Sequence, residues 1–113
     1  GSVRDSLIVC VFLHATFGYK VYAPALRLVT GLEYTVSSLK EAGERIFQLE
    51  RQMNTRLGVS AAQDNLPERI QSGMDDLSRH VASKAAYYEL RGWSEEGIPE
   101  RSVLQEFGLL RGQ

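Results

Sequence analysis

Near the start of the chain an aspartate, Asp5, stands five positions before the only cysteine, Cys10, with Ser-Leu-Ile-Val between them. On a continuous helix rising ~1.5 Å per residue the two side chains would lie roughly 7 to 8 Å apart, the scale of a cofactor edge. An ionised carboxylate only accepts hydrogen bonds and suits the N–H groups of a heterocycle, whereas a thiolate is a soft ligand suited to iron–sulfur clusters. The commoner roles of the same residue types are a helix N-cap and a small buried hydrophobe. His14 follows Cys10 by four residues, a spacing that puts both on one helix face and permits joint metal ligation. Two residues do not make a zinc site, so His14 reads as a packed or solvent-facing histidine, a proton relay near a redox centre being its rarer use.

The elements that must position these residues follow from apolar periodicity. Leu7 to Phe17 is almost wholly apolar and is expected to be a helix capped by Asp5 or Ser6 and stopped by Gly18, although Ile8, Val9 and Val11 also suit a buried strand. A helix apolar on every side needs cover on every side. Val21 to Val29 is a second expected helix, with Pro24 in its first turn and Thr30-Gly31 ending it. Thr35 is expected to cap the longest element, Val36 to Leu57, where Val36, Leu39, Gly43, Ile46, Leu49, Met53 and Leu57 advance by three and four. Gly43 in mid-helix suggests a close backbone neighbour, and the charges of this helix read as a solvated face. Val59 to Pro67 reads as a loop, Pro67 to Ile70 as a short helical turn, and Ser72-Gly73 as a break. Met74 to Arg91 is expected to be helical, with Asp75 and Asp76 at its positive end and Gly92 past its last turn. Trp93 opens a loop through Gly97 and Pro99, and a last helix, Glu100 to Phe107, leaves Leu109 and Leu110 as a hydrophobic latch. The Tyr87-Tyr88 pair reads as half core and half surface. No segment alternates with period two for long, so the expected fold class is all-α: an irregular multi-helix bundle of four to six helices without significant sheet.

Composition narrows the function classes. At 113 residues and 43% hydrophobic content the chain can bury one modest core, and one domain is expected. A net charge of -1 with interspersed signs gives no case for nucleic acid. A lone cysteine cannot form an internal disulfide, which points to an intracellular, cytoplasmic setting. The apolar run is too short for the ~20 residues of a membrane span. Gly1 and Ser2 read as the scar of tag removal, and the natural sequence from Val3 onward as a piece of something larger. There is no Gly-rich phosphate loop, no second cysteine and no histidine constellation for acyl transfer. Taken alone, the chain is not a complete enzyme.

Four stretches in order along nearly the whole chain carry a resemblance: Asp5-Ser-Leu-Ile-Val-Cys10; Gly43-Glu-Arg-Ile-Phe-Gln-Leu-Glu-Arg51 running into Asn54-Thr-Arg56; Asp64-Asn-Leu-Pro-Glu-Arg69; and Tyr87-Tyr-Glu-Leu-Arg-Gly-Trp93 with Gly97-Ile-Pro99. As a set they resemble the C-terminal end of the tungsten-dependent aldehyde:ferredoxin oxidoreductase family. The resemblance implies that residues 3–113 are a helical C-terminal domain of a larger oxidoreductase, which uses a tungsten or molybdenum bis-pterin and a [4Fe-4S] cluster to oxidise aldehydes to carboxylic acids, passing electrons to ferredoxin. It implies that Asp5 contacts a pterin and that Cys10 is one cluster ligand. The other three cysteines, the second pterin-binding segment and the catalytic acid–base residues would lie in the rest of the enzyme. Residues Leu57 to Gln63, with Ala61 and Ala62, depart from the charged pattern usual there.

On this reading the isolated chain is inactive and holds no cofactor, one thiolate being too few for a cubane that needs four. It is also expected to self-associate through its apolar first helix. The competing reading is a stand-alone helical module that binds a protein partner through that helix without catalysis.

Overall fold

The computed structural model describes residues 2–74 and 76–110, with the side chain of Leu13 left aside; the expected roles of Gly1, Leu13 and Asp75 therefore lie outside the described residues. Among the described residues seven helical segments follow one another: α1 (Ser2–Ser6), α2 (Val11–Phe17), α3 (Tyr19–Thr30), α4 (Val36–Arg56), α5 (Glu68–Gln71), α6 (Leu77–Arg91) and α7 (Arg101–Glu106). Among the described residues there is no strand, only one antiparallel bridge between Trp93 and Pro99, and the all-α expectation holds. The additional segment is α1, which precedes the expected first helix, while residues 7–10 of that expected helix form a turn and not a helix. Contacts group the chain into two compact units, one up to Phe47 and one from Gln48 onward.

In the first unit, the expected helix from Leu7 to Phe17 is interrupted at its start. Asp5 and Ser6 end α1 instead of capping a longer helix, and Cys10 is the N-cap of α2. Ile8 causes the break: its φ of 54° is left-handed, and the bonds Ile8 N–H to Asp5 O (3.1 Å) and Val9 N–H to Arg4 O (3.1 Å) close α1 as a Schellman motif. Glycine ordinarily takes that position. For a β-branched residue it costs about 1–2 kcal/mol. The helix α3 begins at Tyr19, earlier than expected, so Pro24 lies inside it and not in its first turn. Val3, Tyr22, Ala23 and Leu39 form the core, with Leu7, Val9, Tyr19, Leu26 and Tyr34 packed around them.

Thr35 caps α4 as expected, through a reciprocal pair in which Ser38 N–H donates to Thr35 Oγ1 (3.0 Å) and Thr35 N–H to Ser38 Oγ (2.9 Å). Gly43 meets Val3: a Cβ built on it would lie 2.6 Å from Val3 Cγ2, which accounts for a glycine within a helix. In the second unit, α6 starts at Leu77 and not at Met74, because Asp76 caps it by accepting from Arg79 N–H at 3.2 Å. Tyr88 is buried and Tyr87 partly exposed, as the paired tyrosines suggested. Leu109 is the buried half of the expected latch, its N–H donating to Leu104 O at 2.7 Å.

Candidate functional site

The break at Ile8 decides how Asp5 and Cys10 are presented. They do not share a helix; they flank a corner, and both are exposed. Arg4 donates to Asp5 through Nε (2.7 Å) and Nη2, both on Oδ1, and among the described residues nothing donates to Oδ2. With 59% of the Asp5 side chain exposed, this pair contributes at most about 1 kcal/mol and can be rearranged. Cys10 is a free, exposed thiol that makes no side-chain capping bond. The corner thus presents an acceptor oxygen and a soft donor, neither spent on the fold. Around them the surface is apolar: Ile8 is 93% and Phe12 81% exposed, with Val11 and Phe17 about half exposed. Burying an isoleucine side chain is worth roughly 1.5–3 kcal/mol, and here that gain is not taken.

His14 is packed among aromatic rings. Its ring stacks on Tyr22 and meets Tyr19 edge-on, with Nδ1 3.2 Å from the Tyr22 hydroxyl, so it is the packed histidine of the two readings. Among the described residues no group of three or more His, Cys, Asp or Glu could hold a metal ion. The donor set of the corner is one thiolate and one carboxylate. Leu7 and Val9, on either side of Ile8, turn inward and help line a cavity of about 200 Å³ with Tyr22, Ala25, Leu26 and Val29.

The second unit holds a polar network that the sequence reading missed. Arg51, read as part of a solvated helix face, is buried, with Gln48 and Gln52 beside it on α4. Its guanidinium grips Asp64 through both terminal nitrogens (Nη1 to Oδ1 3.0 Å, Nη2 to Oδ2 2.5 Å) and donates from Nε to Gly97 O at 2.6 Å. Its plane lies over the Trp93 ring, 4.6 Å from the centroid. Tyr88 donates its hydroxyl to Asp64 Oδ2 (2.5 Å), and Trp93 Nε1 donates to Gln48 Oε1 (2.7 Å). Gly97, at φ 74°, leaves the space that the guanidinium occupies, and a Cβ there would collide with Arg51 Nη2. The Arg51 hydrogen bonds lead in holding Asp64 below the ordinary carboxylate range, against the opposing effect of burial. Burial works against the Arg51 charge, but Asp64 and Tyr88 outweigh it and raise Arg51. Burial, reinforced by Asp64, pushes the Tyr88 phenol up to about 12.

This network pins the loops 59–67 and 93–99 onto α4 and is structural, since every polar group in it is spent on another. A groove of about 640 Å³ runs beside it over Val81, Ala85, Tyr88 and Trp93, edged by Lys84, Glu89, Glu95 and Glu100. Its phenol is committed to Asp64, and its amine, on Lys84, donates to Ala61 O (3.2 Å) and Asn65 Oδ1 (2.8 Å). The one signal for the network in the sequence was that its members lie in three of the ordered stretches, at Gln48 and Arg51, at Asp64, and at Tyr88, Trp93 and Gly97. No helix among the described residues is long and apolar enough to cross a membrane.

The family model described as aldehyde ferredoxin oxidoreductase, domains 2 & 3, matches residues 1–109. The chain is 31% identical over 113 residues to the tungsten-containing aldehyde ferredoxin oxidoreductase of Pyrococcus furiosus, covering 93% of this chain and 19% of that protein. It is 32% identical over 117 residues to the protein of the same description from Pyrococcus horikoshii, covering 96% and 19%, and 29% identical over 113 residues to that of Thermococcus kodakarensis, covering 93% and 19%. The chain thus spans about a fifth of the length of these relatives. No solved structure matches it. Order of motifs, helical architecture and family match agree: the chain belongs to the aldehyde ferredoxin oxidoreductase family, within its domains 2 and 3.

Proposed function

We propose that this chain is the C-terminal helical part of an enzyme that oxidises aldehydes to carboxylic acids, and that its share of the site is the corner at Asp5 and Cys10. In this role Cys10 gives one thiolate to a [4Fe-4S] cluster, and the free Oδ2 of Asp5 accepts a hydrogen bond from a pterin N–H. When bound, the bis-pterin tungsten or molybdenum centre supplies the oxidation of the aldehyde, and the cluster supplies a path for electrons toward ferredoxin. The chain's own residues hold and orient: Cys10 and Asp5 meet neighbouring groups from one rigid corner, while Ile8, Val11 and Phe12 form an apolar border that excludes water. Arg4 pairs with Oδ1 and leaves Oδ2 as the acceptor.

The observation that carries this reading is that the one free thiol and an unspent carboxylate oxygen emerge at the same exposed corner of a chain in this family. In the full-length enzyme, Cys10→Ser is expected to lower iron content or alter the cluster's spectrum with the fold retained, because a serine oxygen is a poor soft-metal ligand. Asp5→Asn is expected to lower pterin occupancy with iron unchanged. Normal iron, pterin and turnover in both variants would refute the two roles.

A further inference from the structure

We infer that the groove beside the Arg51 network is the seat of a cationic, amphipathic segment from another part of the same enzyme; the inference rests on the chain spanning about a fifth of the length of its relatives, and not on the roles given to Asp5 and Cys10. The groove is formed entirely by residues of the second unit and, at about 640 Å³, has the size of a binding cleft and not of a packing defect. Val81, Ala85, Tyr88 and Glu89, at helical steps, lay it along one face of α6 for more than two turns, ~12 Å. That length takes a peptide segment lengthwise. Its apolar wall combines the exposed Val81 and Ala85 with the buried rings of Tyr88 and Trp93.

Charge selects the occupant. Of the charged residues lining the groove three are carboxylates, Glu89, Glu95 and Glu100, all exposed, and one is the ammonium of Lys84. Lys84 is turned to Ala61 O and Asn65 Oδ1. Among the described residues none of the three carboxylates forms an ion pair, and Glu100 accepts only from the Ser102 hydroxyl, at 3.4 Å. A segment laid over the apolar wall takes these carboxylates out of water together with it. A neutral cover would leave them desolvated and unpaired, and an acidic one would add repulsion, so the fitting cover brings apolar side chains to the middle and lysine or arginine to the margins. About four-fifths of the relatives' length lies outside the matched stretch, which is ample chain to supply it.

Carboxyl labelling of the full-length enzyme tests this. A water-soluble carbodiimide with glycinamide modifies accessible carboxylates, and mass mapping of the digest gives a rate for each glutamate, referred to the same enzyme unfolded in urea. Glu89, Glu95 and Glu100 should label on the order of 10-fold slower in the folded enzyme, with no change when the enzyme is diluted. Rates close to those of the unfolded enzyme would overturn the inference, since the groove would then be open or kept for a separate protein. Protection that disappears on dilution would also overturn it, because the cover would be a second copy. The double variant Glu89→Lys with Glu95→Lys reads the charge of the cover. Repulsion of a cationic segment should raise the labelling of Glu100 severalfold, and Glu89→Gln with Glu95→Gln should raise it less. A Glu100 rate unchanged by the two lysines would mean a cover without cations and would sink the proposal. The readout is confined to the second unit, so a failed assignment of Asp5 and Cys10 leaves it standing.

Discussion

Asp64→Asn leaves the Arg51 guanidinium, with only 8% of its side chain exposed, facing a neutral amide. Breaking a buried pair from one side removes about 3 kcal/mol or more, because the remaining charge stays desolvated; urea unfolding of the variant against the parent chain measures this. Replacing both partners with apolar residues should lose less than the single change. The pH dependence has a definite sign. The Asp64 carboxyl is lowered in the folded state, so its stabilisation is present in full above the unfolded carboxylate value of about 4 and is lost as pH falls toward the depressed folded value. The Tyr88 phenol is raised from 10.0 to about 12, so its contribution is complete below pH 10 and is lost as pH rises from there toward 12. Denaturation midpoints across both windows, with ultraviolet absorbance of tyrosinate in the alkaline one, should show the two declines; a flat midpoint in either would count against the network. None of this was legible in the residues themselves. A helix arginine reads as solvated unless its partners are known, and the partners of Arg51 lie 13 and 46 positions away. Asp5 and Cys10 were singled out by residue type and spacing, but their roles at a pterin and a cluster came from the resemblance.

At the scale of elements, periodicity and end signals located α4 and the end of α6 well, because Thr35, Gly58 and Gly92 act locally. The first helix failed for a physical reason. An unbroken apolar run conceals a reversal when the residue in the left-handed turn is isoleucine and not glycine, so nothing in composition marks the corner at Ile8. Pro24 was placed in a first turn because proline is tolerated there, whereas α3 starts at Tyr19 and carries it internally. The contact of α4 with Val3 gives a test. Gly43→Ala should gain up to about 1 kcal/mol of helix propensity but force its methyl into Val3 Cγ2, and the overpacking of about 1–3 kcal/mol should win. Thermal melting should therefore fall for Gly43→Ala and recover when Val3→Ala is added. A rise in the single variant would mean that Val3 moves aside freely.

For the whole chain, Ile8, Phe12, Leu28 and Val29 are each more than four-fifths exposed, and large contiguous apolar patches are seldom left bare on a monomer. The chain on its own is expected to self-associate, symmetrically, with Phe12→Glu weakening the association. Light scattering over a range of concentrations checks this, and a strict monomer at high concentration would show that this face needs no cover. The Arg51 lock has a consequence for how the polypeptide is made. Arg51 reaches Asp64 13 residues on, but Gly97 only 46 residues on, and Gln48 waits 45 residues for Trp93. At ~5–20 residues per second, synthesis of that stretch takes on the order of 2–10 s. Through that interval the growing chain carries a guanidinium paired with Asp64 but still uncovered by its indole, so the second unit can close only when translation has nearly reached its last helix, and a ribosome stalled before Gly97 would hold out a surface that a chaperone or a protease meets first.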